Sequence, residues 1–140
     1  MKEKILSVLS YIWQLPQNVL GLVVILVLKA RKVTVAGGVC YWVHSSGSFC
    51  GVCLGRYIIL YEKFFPSVLS HEIGHSIQSK YLGPLYLLVI GIPSAVFTNL
   101  WSKWFHKDWD DMRRVSWYYN RPWEAWADRL GGVRRTYDHT

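Results

Sequence analysis

The chain has 140 residues, of which 51% are hydrophobic and only 18% charged, with a formal net charge of +7. That length allows one domain with a modest core, and a charged fraction below the usual quarter points toward membrane contact rather than a fully solvated surface. The basic residues sit in ones and twos beside apolar segments (Lys2/Lys4, Lys29/Arg31/Lys32, Arg113/Arg114, Arg134/Arg135), which suits anionic headgroups and argues against a nucleic-acid partner.

Residues 5–28 carry no charge between Lys4 and Lys29, a stretch long enough to cross a bilayer as a helix. Its middle, 14-QLPQN-18, is a defect, because amides and a proline at bilayer depth are costly when they face lipid. Residues 1–31 are therefore expected to form a membrane-associated segment. It is either a kinked helix or a helical hairpin lying in the interface, with a buried soluble hairpin as the alternative.

Residues 32–61 change character, with β-branched and aromatic residues broken at Gly37-Gly38, 45-SSGS-48 and Gly55. This predicts a small antiparallel sheet of three or four strands. Cys40, Cys50 and Cys53 lie here; one pair plus an odd thiol makes no disulfide framework and fits a reducing compartment. A zinc site of these cysteines with His44 is disfavoured, since strand alternation turns Cys50 and Cys53 to opposite faces. Buried thiols are expected instead.

A helix should start at Pro66-Ser67 and carry 71-HEIGH-75. Residues 82–101 are apolar but broken at Gly83-Pro84 and 91-GIP-93, leaving pieces of about eight residues, or about 12 Å of helix, too short to cross. They predict an apolar hairpin, re-entrant or buried. Residues 103–120 are aromatic and of mixed charge, with no readable period. A last helix spans 120–132, with Asn120 as its cap, Pro122 in its first turn and Gly131 at its end.

Histidines at i and i+4 project from one helix face, so His71 and His75 can reach one zinc, while Glu72 can act as general base on the water that the metal activates. A third ligand is needed, and 124-EAWAD-128 offers Glu124 and Asp128 on one helix face. HEIGH with EAWAD resembles the gluzincin metallopeptidases. The run HEIGHSIQSKYLGPLYLLVIGIPS followed by EAWADRLGG is also similar to small bacterial membrane-associated HExxH domains, some found at the ends of toxin-like or repeat proteins. The resemblance covers residues 56–133.

It implies one Zn2+ ligated by His71, His75 and Glu124, with Glu72 as catalytic base and Asp128 orienting a ligand histidine. Asp128 as ligand in place of Glu124 stays open, because Glu124 lies 49 residues after His75, farther than in many gluzincins. His106, Tyr118 and Tyr119 have the right chemistry to stabilise a transition-state oxyanion. The implied fold is α+β, a minimal zincin-like metallopeptidase domain over 32–140 whose C-terminal helix carries the third ligand. The implied function is hydrolysis of peptide bonds at a membrane, with a peptide or protein substrate and the lipid bilayer as partners. The alternative is a non-catalytic zinc-binding or toxin-like membrane interaction protein.

One zinc also constrains topology. A single crossing by residues 82–101 would put about 30 Å of hydrocarbon between HEIGH and EAWAD. Either the segment does not simply span, or the third ligand lies elsewhere, or the site sits at membrane depth. The breaks at Gly83-Pro84 and 91-GIP-93 favour the first, with both motifs on one side. An intramembrane protease is disfavoured because the acids sit in a charged, polar C-terminal region. The Lys29/Arg31/Lys32 cluster places the catalytic part on the cytoplasmic face of a bacterial inner membrane.

Overall fold

The computed structural model describes residues 1–35, 38–47 and 49–136. Among them are six α-helices and a four-stranded sheet, a mixed α+β arrangement. Gly37 and Ser48, read as turn positions, lie outside the described residues.

The strands are β1 (Arg31–Thr34), β2 (Cys40–His44), β3 (Gly51–Leu54) and β4 (Tyr57–Tyr61), in the order β1-β2-β4-β3. The β1–β2 and β3–β4 pairs are antiparallel, but β2 and β4 are parallel. The expected antiparallel sheet is therefore corrected to a mixed one. After β2 the chain crosses to the far edge to lay down β3, turns at Gly55 (φ +67°) and returns as β4 between its neighbours. Running against β3, it must run with β2. Ile58, Ile59 and Leu60 of β4 are all buried, which is why this central strand reads as an unbroken apolar run.

The polar defect near the N-terminus is a seam. Helices α1 (Lys2–Trp13) and α2 (Leu15–Leu28) meet at an 83° bend. Gln14, Gln17 and Asn18 beside the bend are buried. Gln17 Nε2 donates to Ser79 Oγ (3.1 Å) and to the Gly83 carbonyl (2.7 Å), and Ser79 Oγ donates to Gln14 Oε1 (2.7 Å). Asn18 Oδ1 accepts from the Arg56 backbone N–H at 2.9 Å. These bonds fasten the N-terminal helices to the HEIGH helix and the β3–β4 turn. The outward faces are bare, with Leu26 75% and Val27 73% exposed. No single helix among the described residues is long and apolar enough to cross a membrane.

Helix α3 (Pro66–Leu82) starts where the sequence places it and ends at Gly83. A Cβ there would lie 2.1 Å from the Trp13 indole, and its φ is +54°, so glycine suits both the break and the packing. The second expected break, at 91-GIP-93, is absent. After a 118° bend the chain stays helical through Leu87–Phe105, wound as π-helix over Leu87–Gly91 and Pro93–Leu100 and then as α4 (Trp101–Phe105). Proline lacks an N–H and clashes with the carbonyl four residues back in an α-helix; the wider π turn accommodates Pro93. The hairpin is therefore one bent apolar arm.

Helix α5 (Asp111–Tyr119) fills part of the unread stretch, with Asp110 capping it through the Arg113 N–H at 2.8 Å. Asn120 caps the end of α5 rather than the start of α6 (Pro122–Gly131), and the left-handed cap after α6 is Gly132.

Helices α3 and α6 touch backbone to backbone. A Cβ on Gly74 would lie 1.9 Å from the Ala127 carbonyl oxygen, and one on Gly131 2.0 Å from that of Ser70. Gly74→Ala must push the helices apart. It should cost about 1–3 kcal/mol and lower the thermal midpoint by roughly 5–10 °C. Gly91→Ala, whose added carbon meets the Leu87 side chain at 3.3 Å and the Tyr86 carbonyl oxygen at an ordinary 3.9 Å, should leave the midpoint nearly unchanged. Equal losses in the two variants would contradict the contact.

Candidate metal centre

The glycine contact brings two helix faces together across a small gap. Helix α3 presents His71 and His75 one turn apart, and α6 presents Glu124 and Asp128 one turn apart. All four are buried, Glu124 completely. One Glu124 oxygen, Oε2, lies 3.0 Å from Nε2 of His71 and 3.0 Å from Nε2 of His75. This buried group of His71, His75 and Glu124 could hold a metal ion.

The outer nitrogens are committed elsewhere. Nδ1 of His71 donates to Asp128 Oδ1 at 2.7 Å, and Nδ1 of His75 donates to Gln78 Oε1 at 2.7 Å. The Gln78 orientation is fixed because its Nε2 donates to the Trp123 carbonyl at 2.8 Å. With a proton on each Nδ1, both Nε2 lone pairs face a carboxylate oxygen. Three acceptors in one spot repel unless a proton or a cation sits among them. In the metal-free chain the protons supply this. Burial opposes charge on His71, but the hydrogen bonds with Asp128 and Glu124 outweigh it and raise its pKa to about 9. Burial likewise opposes charge on Glu124, yet the bonds from His71 and His75 lower it to about 2.

Asp128 touches the back of His71 and not the Nε2 cluster, so the structure brings Glu124, rather than Asp128, to the two Nε2 atoms. Arg135 Nε holds Asp128 Oδ2 at 2.7 Å, and its guanidinium lies over the Tyr119 ring at 3.3 Å. Tyr119 in turn packs edge-on against His71. Ser94, on the π-helical arm, donates to the other Glu124 oxygen, Oε1. Sequence reasoning missed Gln78 and Ser94. Gln78 carried a signal, being one turn from His75 on the same helix; Ser94 carried none.

Glu72 is buried, and its Oε2 has no hydrogen-bond partner among the described residues. Burial pushes this carboxyl upward against the pull of the histidines. A side chain at Gly51 would strike its Oε1 at 2.9 Å, so β3 leaves the space that Glu72 fills. Glu72 and His75 line a cavity of about 540 Å³ bounded by α2, β3 and the arm, with Tyr118 also in its wall. His106 lies apart from that wall, stacked on Trp109 at 3.7 Å and edge-on to Trp117. Of the three cysteines, all free, only Cys53 is buried; Cys40 is partly covered and Cys50 is exposed. No protein-family model, curated protein or solved structure matches this chain.

Proposed function

We propose that this chain is a membrane-associated, zinc-dependent peptidase whose ion is held by His71, His75 and Glu124. The observation that carries the reading is the convergence of both Nε2 atoms on one Glu124 oxygen beside buried Glu72, whose Oε2 has no hydrogen-bond partner among the described residues. Two imidazoles and a carboxylate are a donor set suited to zinc, and tetrahedral ligands at about 2.0–2.1 Å from an ion lie about 3.3 Å from one another, close to the 3.0 Å from Glu124 Oε2 to each Nε2. Zinc, when bound, supplies the Lewis acidity that activates water and polarises a carbonyl.

The remaining chemistry belongs to the chain. Glu72 takes the proton from the attacking water and returns it to the leaving amine. Asp128 and Gln78 hold the imidazoles in the tautomer that presents Nε2 inward. Tyr118, in the cavity wall, is the hydroxyl nearest in kind to an oxyanion donor. A substrate strand adds to the outer edge of β3, which among the described residues pairs as a strand only with β4.

Membrane association rests on exposed apolar side chains along α1, α2 and the arm, among them Leu6, Leu9, Leu26, Leu88 and Trp104. Apolar surface on that scale marks an interaction face. Lys32, Arg56 and Lys80 line a second cavity of about 700 Å³ with no acidic side chain among the described residues, which suits anionic headgroups. We place the catalytic part on the cytoplasmic face of a bacterial inner membrane, from the Lys29/Arg31/Lys32 cluster beside α2.

The test is turnover. Detergent-solubilised protein, zinc-loaded, should cleave members of a fluorogenic peptide pool, lose that activity to a chelator and regain it with added zinc. Turnover that survives chelation, or zinc-loaded protein inert toward the whole pool, counts against the proposal.

A further inference from the structure

The cavity beside Glu72 and His75 is unlike a water-filled cleft. Leu20 and Val24 of α2 face Leu87, Ile90 and Val96 of the arm across it. No lysine, arginine or aspartate among the described residues lines it, and its acidic side chain is Glu72 itself. Its rim is largely apolar too. Leu20 (42%), Ile92 (48%) and Val96 (43%) line the chamber and are also exposed, so the inner wall runs into the bare outer faces of α2 and the arm. Exposed Asn99 adds one amide there, its Nδ2 donating to the Ser94 carbonyl at 3.0 Å.

We propose that this chamber receives an uncharged, apolar peptide segment that reaches Glu72 sideways, between α2 and the arm, from the hydrocarbon side of the interface. The inference rests on the hydrolytic reading of the metal centre and names the substrate that centre acts on. A charged side chain brought into the chamber would lose its water. An acidic one would meet no lysine or arginine, and a basic one would meet no carboxylate but Glu72, which Glu72→Gln removes. An apolar one transfers favourably.

A peptide suits the chamber better than an acyl chain because of β3. A peptide backbone in apolar surroundings must satisfy its N–H and C=O groups. All four residues of β3, an edge strand, line the chamber. Val52 and Leu54 bond to β4, while Gly51 and Cys53 turn their backbone groups outward and offer that pairing, the Cys53 carbonyl now accepting from the Tyr86 hydroxyl at 3.0 Å. An acyl chain has no use for it.

The experiment uses purified Glu72→Gln protein in detergent, so that binding is read without cleavage. The probe is a leucine-rich peptide carrying a benzophenone photolabel, compared with the same peptide bearing lysine at its centre. Crosslinks of the first should map to α2, β3 and the arm. The lysine peptide should label at least tenfold less, and so should the leucine peptide on Ala95→Trp or Val24→Trp protein, which narrow the chamber from opposite walls. Loss through micelle partitioning alone would not follow the tryptophan substitutions. Equal labelling by both peptides, labelling outside the chamber, no labelling, or indifference to both tryptophans would overturn the proposal. Wild-type, zinc-loaded protein given the leucine peptide separates the two readings. Labelling without cleavage leaves the chamber standing and removes the peptidase; cleavage without chamber labelling does the reverse.

Discussion

Glu72→Gln is expected to keep zinc bound and to lower peptide hydrolysis about a thousandfold, within the range of about 10²–10⁴ that a positioned general base contributes. The substitution changes one carboxylate oxygen to an amide nitrogen and nothing in size. Glu72 is buried and its Oε2 has no hydrogen-bond partner among the described residues, so no structural bond is lost at that atom. It does not touch the atoms that gather around Glu124 Oε2, so the ligand set is left whole. An amide cannot take the proton from water. Peptide turnover and zinc content measured on the same preparation separate the outcomes. Retained turnover removes Glu72 as base. Loss of zinc together with turnover makes it a holder of the site instead.

Much of the candidate site could be read from spacing. His71 and His75, like Glu124 and Asp128, are one helical turn apart, and that period alone puts each pair on one face. The meeting of those faces is less legible, because it depends on Gly74 and Gly131 letting backbones touch over a long separation in sequence. Gln78 was readable in principle and Ser94 was not, since nothing local brings the π-helical arm to Glu124.

The fold shows the same division. Local signals located the start of α3 and its end at Gly83. Strand order escaped them, because alternation reports which face a residue takes and not which neighbour its strand takes. The amides of 14-QLPQN-18 read as a membrane defect for a related reason. Their partners, Ser79, Gly83 and Arg56, lie far along the chain, and only the folded contacts turn that cost into a clamp. At 91-GIP-93 a local rule misled, since the π turn supplied an accommodation of proline that the α-helical expectation lacked.

The second large effect concerns the ligands. Glu124 Oε2 meets both Nε2 atoms, whereas Asp128 meets only the back of His71. Glu124→Gln keeps size and an oxygen for Ser94 but removes the ligand charge, and should reduce zinc retention by more than about a hundredfold. Asp128→Asn, which disturbs the orientation of a ligand, should weaken zinc only about 10–100-fold. Elemental analysis of purified, dialysed protein carries the decisive comparison. Wild type should hold one zinc per chain, Asp128→Asn should still bind zinc at higher concentration, and Glu124→Gln should hold almost none. Wild-type protein that folds, is exposed to zinc and retains none of it would contradict the metal centre and the hydrolytic function built upon it.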